Sequence, residues 1–187
     1  VALGLVPDLT AKAARTAASN AGAKVAKTFA YEISGAEQQE IYDINPDLVL
    51  LCGGTDGGNK EVIIANAKRL VAIDRPFTTI IAGNKSASDE IRTIFEEAGK
   101  DFVITENVMP QFNKLNIEPA RDAIRQLFIS RIIEAKGLNI LQGMTPYKII
   151  PTPLAVLHAC ELLSKGTKTQ AGRGDLLAVD IGGATTD

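Results

Sequence analysis

Leu48-Val-Leu-Leu-Cys-Gly-Gly-Thr-Asp-Gly-Gly-Asn59 is the stretch that decides the fold. Its four leading apolar residues, bounded by Pro46 and Gly53, form the continuous run of a strand buried on both faces, as in parallel sheets. The loop that follows holds four glycines with Thr55, Asp56 and Asn59, and a helix is expected behind it over about Glu61 to Ile73. A strand, a Gly-rich turn and a helix in that order make the first half of a βαβ unit.

The same rhythm continues on both sides. Upstream, Lys24 to Ile33 reads as a strand and Gly35 to Asp43 as a short helix. Before them, Pro7, Asp8, an Ala-rich run and Gly22 mark a helix from start to C-terminal cap. Downstream come a strand Thr78 to Ala82, a helix Ser86 to Ala98 with Ser86 and Asp89 spaced as a capping pair, and a strand Phe102 to Thr105. Strands alternating with helices of about a dozen residues imply right-handed βαβ crossovers and a Rossmann-like parallel sheet flanked by helices. The later text differs. Glu118-Pro119 opens a long helix to Lys136, with Ile124, Leu127, Phe128 and Ile132 as its apolar face. A Pro-punctuated connector, Thr145 to Pro153, leads to a helix over Leu154 to Ser164, a polar Gly-rich loop to Gly174 and a strand Leu176 to Ile181. The segments expected are therefore an N-terminal helix in 1–23, the Rossmann-like core in 24–112, and a helical connector with a strand in 113–187.

Composition excludes several roles. The 187 residues are 45% apolar and 22% charged, the balance of a globular chain able to bury a core. A net charge of −2, with no Lys/Arg block, leaves no electrostatic footprint for nucleic acid. No apolar stretch approaches the roughly 20 residues that span a bilayer, and no signal peptide opens the sequence. Cys52 and Cys160 stand far apart and in no CxxC pairing, as reduced thiols of a cytoplasmic protein do. The sequence opens on Val1 and stops on a strand-turn pattern, so it reads as a piece of a larger protein.

Two places carry candidate chemistry. At the end stands Asp180-Ile-Gly-Gly-Ala-Thr-Thr-Asp187. Gly182 and Gly183 let successive amides converge on a phosphate, Ala184 keeps the turn small, and Thr185 and Thr186 add hydroxyl donors. Asp180, delivered by the strand, suits Mg²⁺ or its water shell. A Gly-Gly hairpin turn beside a capping Asp is the plainer alternative. The second place is the row of strand ends: Gly53, Gly54, Thr55, Asp56, Gly57, Gly58 and Asn59 after one strand, Asn84 after the next, Glu106 and Asn107 after another. Parallel strands would gather these on one sheet edge as a ligand or partner site. Turn and cap chemistry explains the same residues equally. GxGxxG spacing is absent, so a nicotinamide fingerprint is not present. The sole histidine, His158, has no partner for a triad and reads as structural. Arg121 and Arg125 read as a solvated face paired with Glu118 or Asp122, and Lys165 to Arg173 as a surface loop.

The closing octet resembles the second phosphate loop of the actin-like ATPase superfamily. More narrowly, Leu5 to Ala14, Leu50 to Asn59, Ile81 to Asn84, Glu106 to Pro110, Leu115 to Arg121, Ala135 to Leu138 and the octet together resemble the MutL family of glutamate mutase accessory proteins. The resemblance implies a partial actin-like ATPase (ribonuclease H-like) domain joined to the Rossmann-like core. It implies an accessory protein for an adenosylcobalamin-dependent mutase, with ATP and Mg²⁺ bound by the full-length protein and used to eject damaged cobalamin. The earlier phosphate loop and the adenosine motif of that family are not in these residues, so this piece alone is not expected to be an active ATPase. A non-catalytic module that binds a ligand or protein through its strand-end loops is a different reading. So is a small-molecule kinase, for which no general base stands out.

Overall fold

A computed structural model describes residues 1–21, 23–135, 143–147, 152–179 and 181. Five parallel strands form one sheet: β1 (Ala2–Gly4), β2 (Thr28–Ala30), β3 (Leu48–Leu51), β4 (Thr78–Ile81) and β5 (Phe102–Ile104). Their spatial order is β2-β1-β3-β4-β5, the order of a flavodoxin-like doubly wound sheet. The expectation of a Rossmann-like parallel core is met. The first strand is a finding of the structure. Ala2 and Leu3 are fully buried and lie between β2 and β3, so 1–23 supplies a central strand as well as a helix.

Helices fill the crossovers: α1 (Lys12–Asn20), entered through a π-helical turn at Pro7–Ala11, then α2 (Gly35–Ile44), α3 (Glu61–Val71) and α4 (Ser88–Glu97). Every second strand residue faces the larger core, where Leu3, Val49, Leu51 and Ile81 pack with Ile41 of α2, Ile63 and Leu70 of α3, and Ile91 and Phe95 of α4. Each of these large side chains, removed from water, stabilises the fold by about 1.5–3 kcal/mol. The alternate residues Leu50 and Ile80 are buried as well. On the α1 side the helix presents Ala13, Ala14, Ala17 and Ala18, small enough to lie close against β1 and β3. Gly4 shows how close: a Cβ there would stand 2.2 Å from the Ala11 nitrogen. Thr10 closes this corner by accepting from the Leu5 and Val6 amides at 2.7 and 3.0 Å.

α5 (Glu118–Ala135) and α6 (Thr152–Lys165) complete the helices described. The chain divides into two compact units, Val1–Gln126 and Leu127–Asp187. In the first, Ala120 and Ile124 are buried and the Arg125 guanidinium donates to the Asn20 carbonyl at 3.2 Å. Phe128 is exposed, so the apolar face read from the sequence is not wholly covered.

Three local expectations are corrected. The strand read over Lys24 to Ile33 pairs only at Thr28–Ala30, because its neighbour β1 is three residues long. α4 begins at Ser88 after a short 3-10 turn at Lys85–Ala87; Asn84, accepting from the Ser86 amide, caps that turn, and no side chain caps α4, so the expected Ser86–Asp89 capping pair does not form. Leu176 to Val179 form no strand: Leu177 is 95% exposed, and no neighbouring strand among the described residues satisfies their backbone.

Candidate functional site

Parallel strands place all their following loops on one edge, and here the ladder continues past the strand ends to hold them there. The Ala82 amide donates to the Leu51 carbonyl, Thr105 to Ile81, Asn84 to Gly53 and Val108 to Ala82, all at 2.9–3.0 Å. The residues singled out from the sequence after β3, β4 and β5 are therefore brought together. The strand order reverses between β1 and β3, the switch point beside which open α/β sheets receive ligands.

What these residues do to one another is specific. Asn84, 1% exposed, accepts from the Gly57 and Ser86 amides at 3.1 and 2.9 Å and donates to the Gly58 and Asn59 carbonyls at 3.0 and 3.2 Å. Asn107, 3% exposed, donates to the Gly54 carbonyl at 3.0 Å and the Asp56 carboxylate at 2.9 Å, and accepts from the Met109 amide at 3.0 Å. The same Asp56 oxygen accepts from the Lys85 amide at 3.1 Å, while the Asp56 amide donates to the Pro110 carbonyl at 3.0 Å. Thr55 takes the Gly58 amide on its carbonyl, and Asn59 caps α3 by accepting from the Val62 amide and donating to Glu61. Glu106 accepts from the Asn116 side chain at 3.0 Å.

Two buried asparagines thus staple three loops together. The amides of Asp56, Gly57 and Gly58, which an anion cradle would use, are engaged inside the protein. Gly53 and Gly54 are buried at the root of the loop, and Gly54 is required there. Its φ is +71° and a Cβ would lie 2.0 Å from the Asn59 carbonyl oxygen. Gly57, Gly58 and Asn59 remain exposed. Burial pushes the Cys52 thiol, just before the loop, well above the usual range, so it is not a nucleophile at neutral pH. Among the described residues no cluster of three or more His, Cys, Asp and Glu could hold a metal ion.

Three residues of this edge escaped the sequence reading. Tyr31, directly after β2, has φ 67° and is 59% exposed. Its amide donates to the Gly4 and Leu5 carbonyls, and its carbonyl accepts from Asn66, itself fully buried and accepting from the Ile33 amide. A left-handed conformation costs a bulky residue about 1–3 kcal/mol, and the Asn66 clamp enforces it. Phe112, inside the tight turn that closes Gln111 on Lys114 with Asn113 at φ 59°, and Leu115, just after it, are 70% and 56% exposed. No local sequence pattern announces a positive φ at a tyrosine.

The phosphate-turn candidates Asp180, Gly182, Gly183, Ala184, Thr185 and Thr186 lie outside the described residues. The loop after α6 folds back on the helix end: the Gly166, Arg173 and Gly174 amides donate to the Leu162, Leu163 and Ser164 carbonyls. His158 is exposed on α6 and not enclosed by apolar neighbours. Arg121 pairs with its neighbour Asp122 at 2.9 Å, one of the two acidic partners expected, whereas Arg125 donates to the Asn20 carbonyl instead. No described helix is long and apolar enough to cross a membrane.

Sheet order and site define the class: an open, doubly wound parallel α/β domain with its polar loops locked along one edge. The chain belongs to the MutL protein family, whose sequence model matches residues 1–187. It is similar to Protein MutL of Clostridium tetanomorphum, with 50% identity over 187 residues, 100% of this chain and 40% of that relative. The chain therefore spans about two fifths of that relative's length. No solved structure matches it.

Proposed function

We propose that the full-length protein is an accessory factor of an adenosylcobalamin-dependent mutase, glutamate mutase in the first instance, and that it uses ATP to renew the mutase's cobalamin. The observation that carries this reading is membership of the MutL family across all of residues 1–187. Half of the positions are identical to a named MutL protein over that span. The division of labour follows from the chemistry of the two candidate sites. Asp180 would hold Mg²⁺ through water, and Gly182, Gly183, Thr185 and Thr186 would meet ATP phosphates with amides and hydroxyls. Residues elsewhere in the longer protein would complete that site. The sheet edge, whose loop amides are already engaged, suits the recognition of a protein better than the cradling of a phosphate.

The test uses the full-length protein, glutamate mutase inactivated with hydroxocobalamin, free adenosylcobalamin and Mg-ATP. Mutase activity is expected to return only when the accessory protein and ATP are both present. Recovery that is independent of either one overturns the proposal.

A further inference from the structure

Asp56-Gly57 is the one Asp-Gly or Asn-Gly pair in the 187 residues. Such a pair is chemically labile. The glycine nitrogen can attack the aspartate Cγ, because no Cβ on the following residue obstructs the approach. The new C–N bond closes a five-membered succinimide, and the nitrogen's proton leaves with the carboxyl hydroxyl as water. Water then adds at either ring carbonyl, returning aspartate or giving isoaspartate, in which the main chain runs through the former side chain. The attack requires a protonated carboxyl, an amide nitrogen released from its hydrogen bond and a chain free to turn.

Space offers no protection here. Gly57 is exposed, and a Cβ placed on it would meet no atom within 4 Å. Hydrogen bonds hold both reacting groups instead. The Gly57 amide donates to Asn84 Oδ1 at 3.1 Å. One Asp56 carboxylate oxygen accepts from Asn107 Nδ2 at 2.9 Å and from the Lys85 amide at 3.1 Å. The turn is pinned on either side of the labile bond, by the Asp56 amide on the Pro110 carbonyl and the Gly58 amide on the Thr55 carbonyl. We infer that Asp56-Gly57 is a latent isomerisation site, which the buried Asn84 and Asn107 keep closed by engaging the nucleophile and the electrophile separately. Reaction awaits local opening of the stapled loops, so its rate follows the population of the opened edge. The product then keeps the edge from reclosing as before, because an extra backbone methylene falls between the two pinning bonds.

Ageing the full-length protein in mildly acidic buffer, followed by tryptic mapping of residues 28–60 with aspartyl and isoaspartyl forms separated, tests it. Native wild type is expected to form isoaspartate at residue 56 at least about tenfold more slowly than the same protein in urea, since native structure keeps the opened form a minority. Asn84→Ala and Asn107→Ala, aged below their thermal midpoints, are expected to form it roughly tenfold faster than native wild type, the shift in open population that loss of a buried hydrogen bond brings. Asp56→Glu is expected to abolish the signal. Native wild type that ages as fast as the unfolded protein overturns the inference, as do folded asparagine variants that age no faster than wild type or a signal that persists in Asp56→Glu. Should one asparagine variant prove unfolded, the other decides, and the comparison of native wild type with urea stands without either.

Discussion

Asn107 shows how single side chains organise this edge. A turn-forming asparagine ordinarily bonds its own neighbours, but this one reaches across 53 residues to the Gly54 carbonyl. Two of its three hydrogen bonds are buried, so deleting the side chain leaves the Gly54 carbonyl and the Met109 amide buried without it. A donor or acceptor stranded in that way costs about 1–3 kcal/mol. Asn107→Ala is expected to lower the unfolding free energy by about 1–3 kcal/mol, seen as a lower denaturant midpoint with an unchanged m-value, the signature of a lost native contact with unaltered compactness. An unfolding curve superimposable on wild type would show that water replaces the staple. The residue types at this edge were readable: Asn84, Glu106, Asn107 and the glycines stand where the sequence placed them. The direction of their bonds was not readable. Whether a loop amide faces a ligand or a buried asparagine depends on which strands are neighbours, and that is decided by tertiary structure.

At the scale of the element, α2 has the most complete start. Ser34 accepts from the Glu37 amide at 3.2 Å and the Glu37 carboxylate accepts from the Ser34 amide at 2.8 Å, a reciprocal capping box. Removing such a cap costs about 1 kcal/mol, so Ser34→Ala is expected to lower stability by that much in urea unfolding. The Ser34 backbone and hydroxyl hydrogen bonds hold the Glu37 carboxyl below the usual glutamate range, with Lys27 adding to the effect. A depressed folded-state value means the contribution is fully present above the unfolded glutamate range and is lost as pH falls through the folded value. The stability gap between wild type and Glu37→Gln should therefore narrow as pH drops from neutral into that acid range. A gap constant with pH would sink the assignment. The elements themselves were legible in proportion to their burial. Leu48–Leu51 was read at its true bounds because both its faces are covered, whereas β1 was missed because Ala-Leu-Gly is too short to form a run. Leu176 to Val179 failed in the opposite sense, being apolar in sequence with no partner strand among the described residues.

For the whole molecule, the separation of the two candidate functions into two compact units makes a sharp expectation. The apolar cluster of the sheet unit runs from Leu3 to Phe95, and that unit closes at Gln126. Asp180 falls in the second unit, Leu127–Asp187. If it positions Mg²⁺ on ATP, Asp180→Asn in the full-length protein removes a charge whose value is greatest when the phosphate charge builds up in the transition state. Loss of one such electrostatic group lowers turnover on the order of 10²-fold. The same variant is expected to leave hydrogen-exchange protection of β1, β3 and β4 at the wild-type level, since buried central strands open only with the whole unit. The two readouts together separate the possibilities. Lost ATP hydrolysis with intact protection supports a nucleotide role for the terminal turn. Lost protection would mean that Asp180 is structural, and unaltered hydrolysis with intact protection would reduce Asp180-Ile-Gly-Gly to a hairpin beside a capping carboxylate.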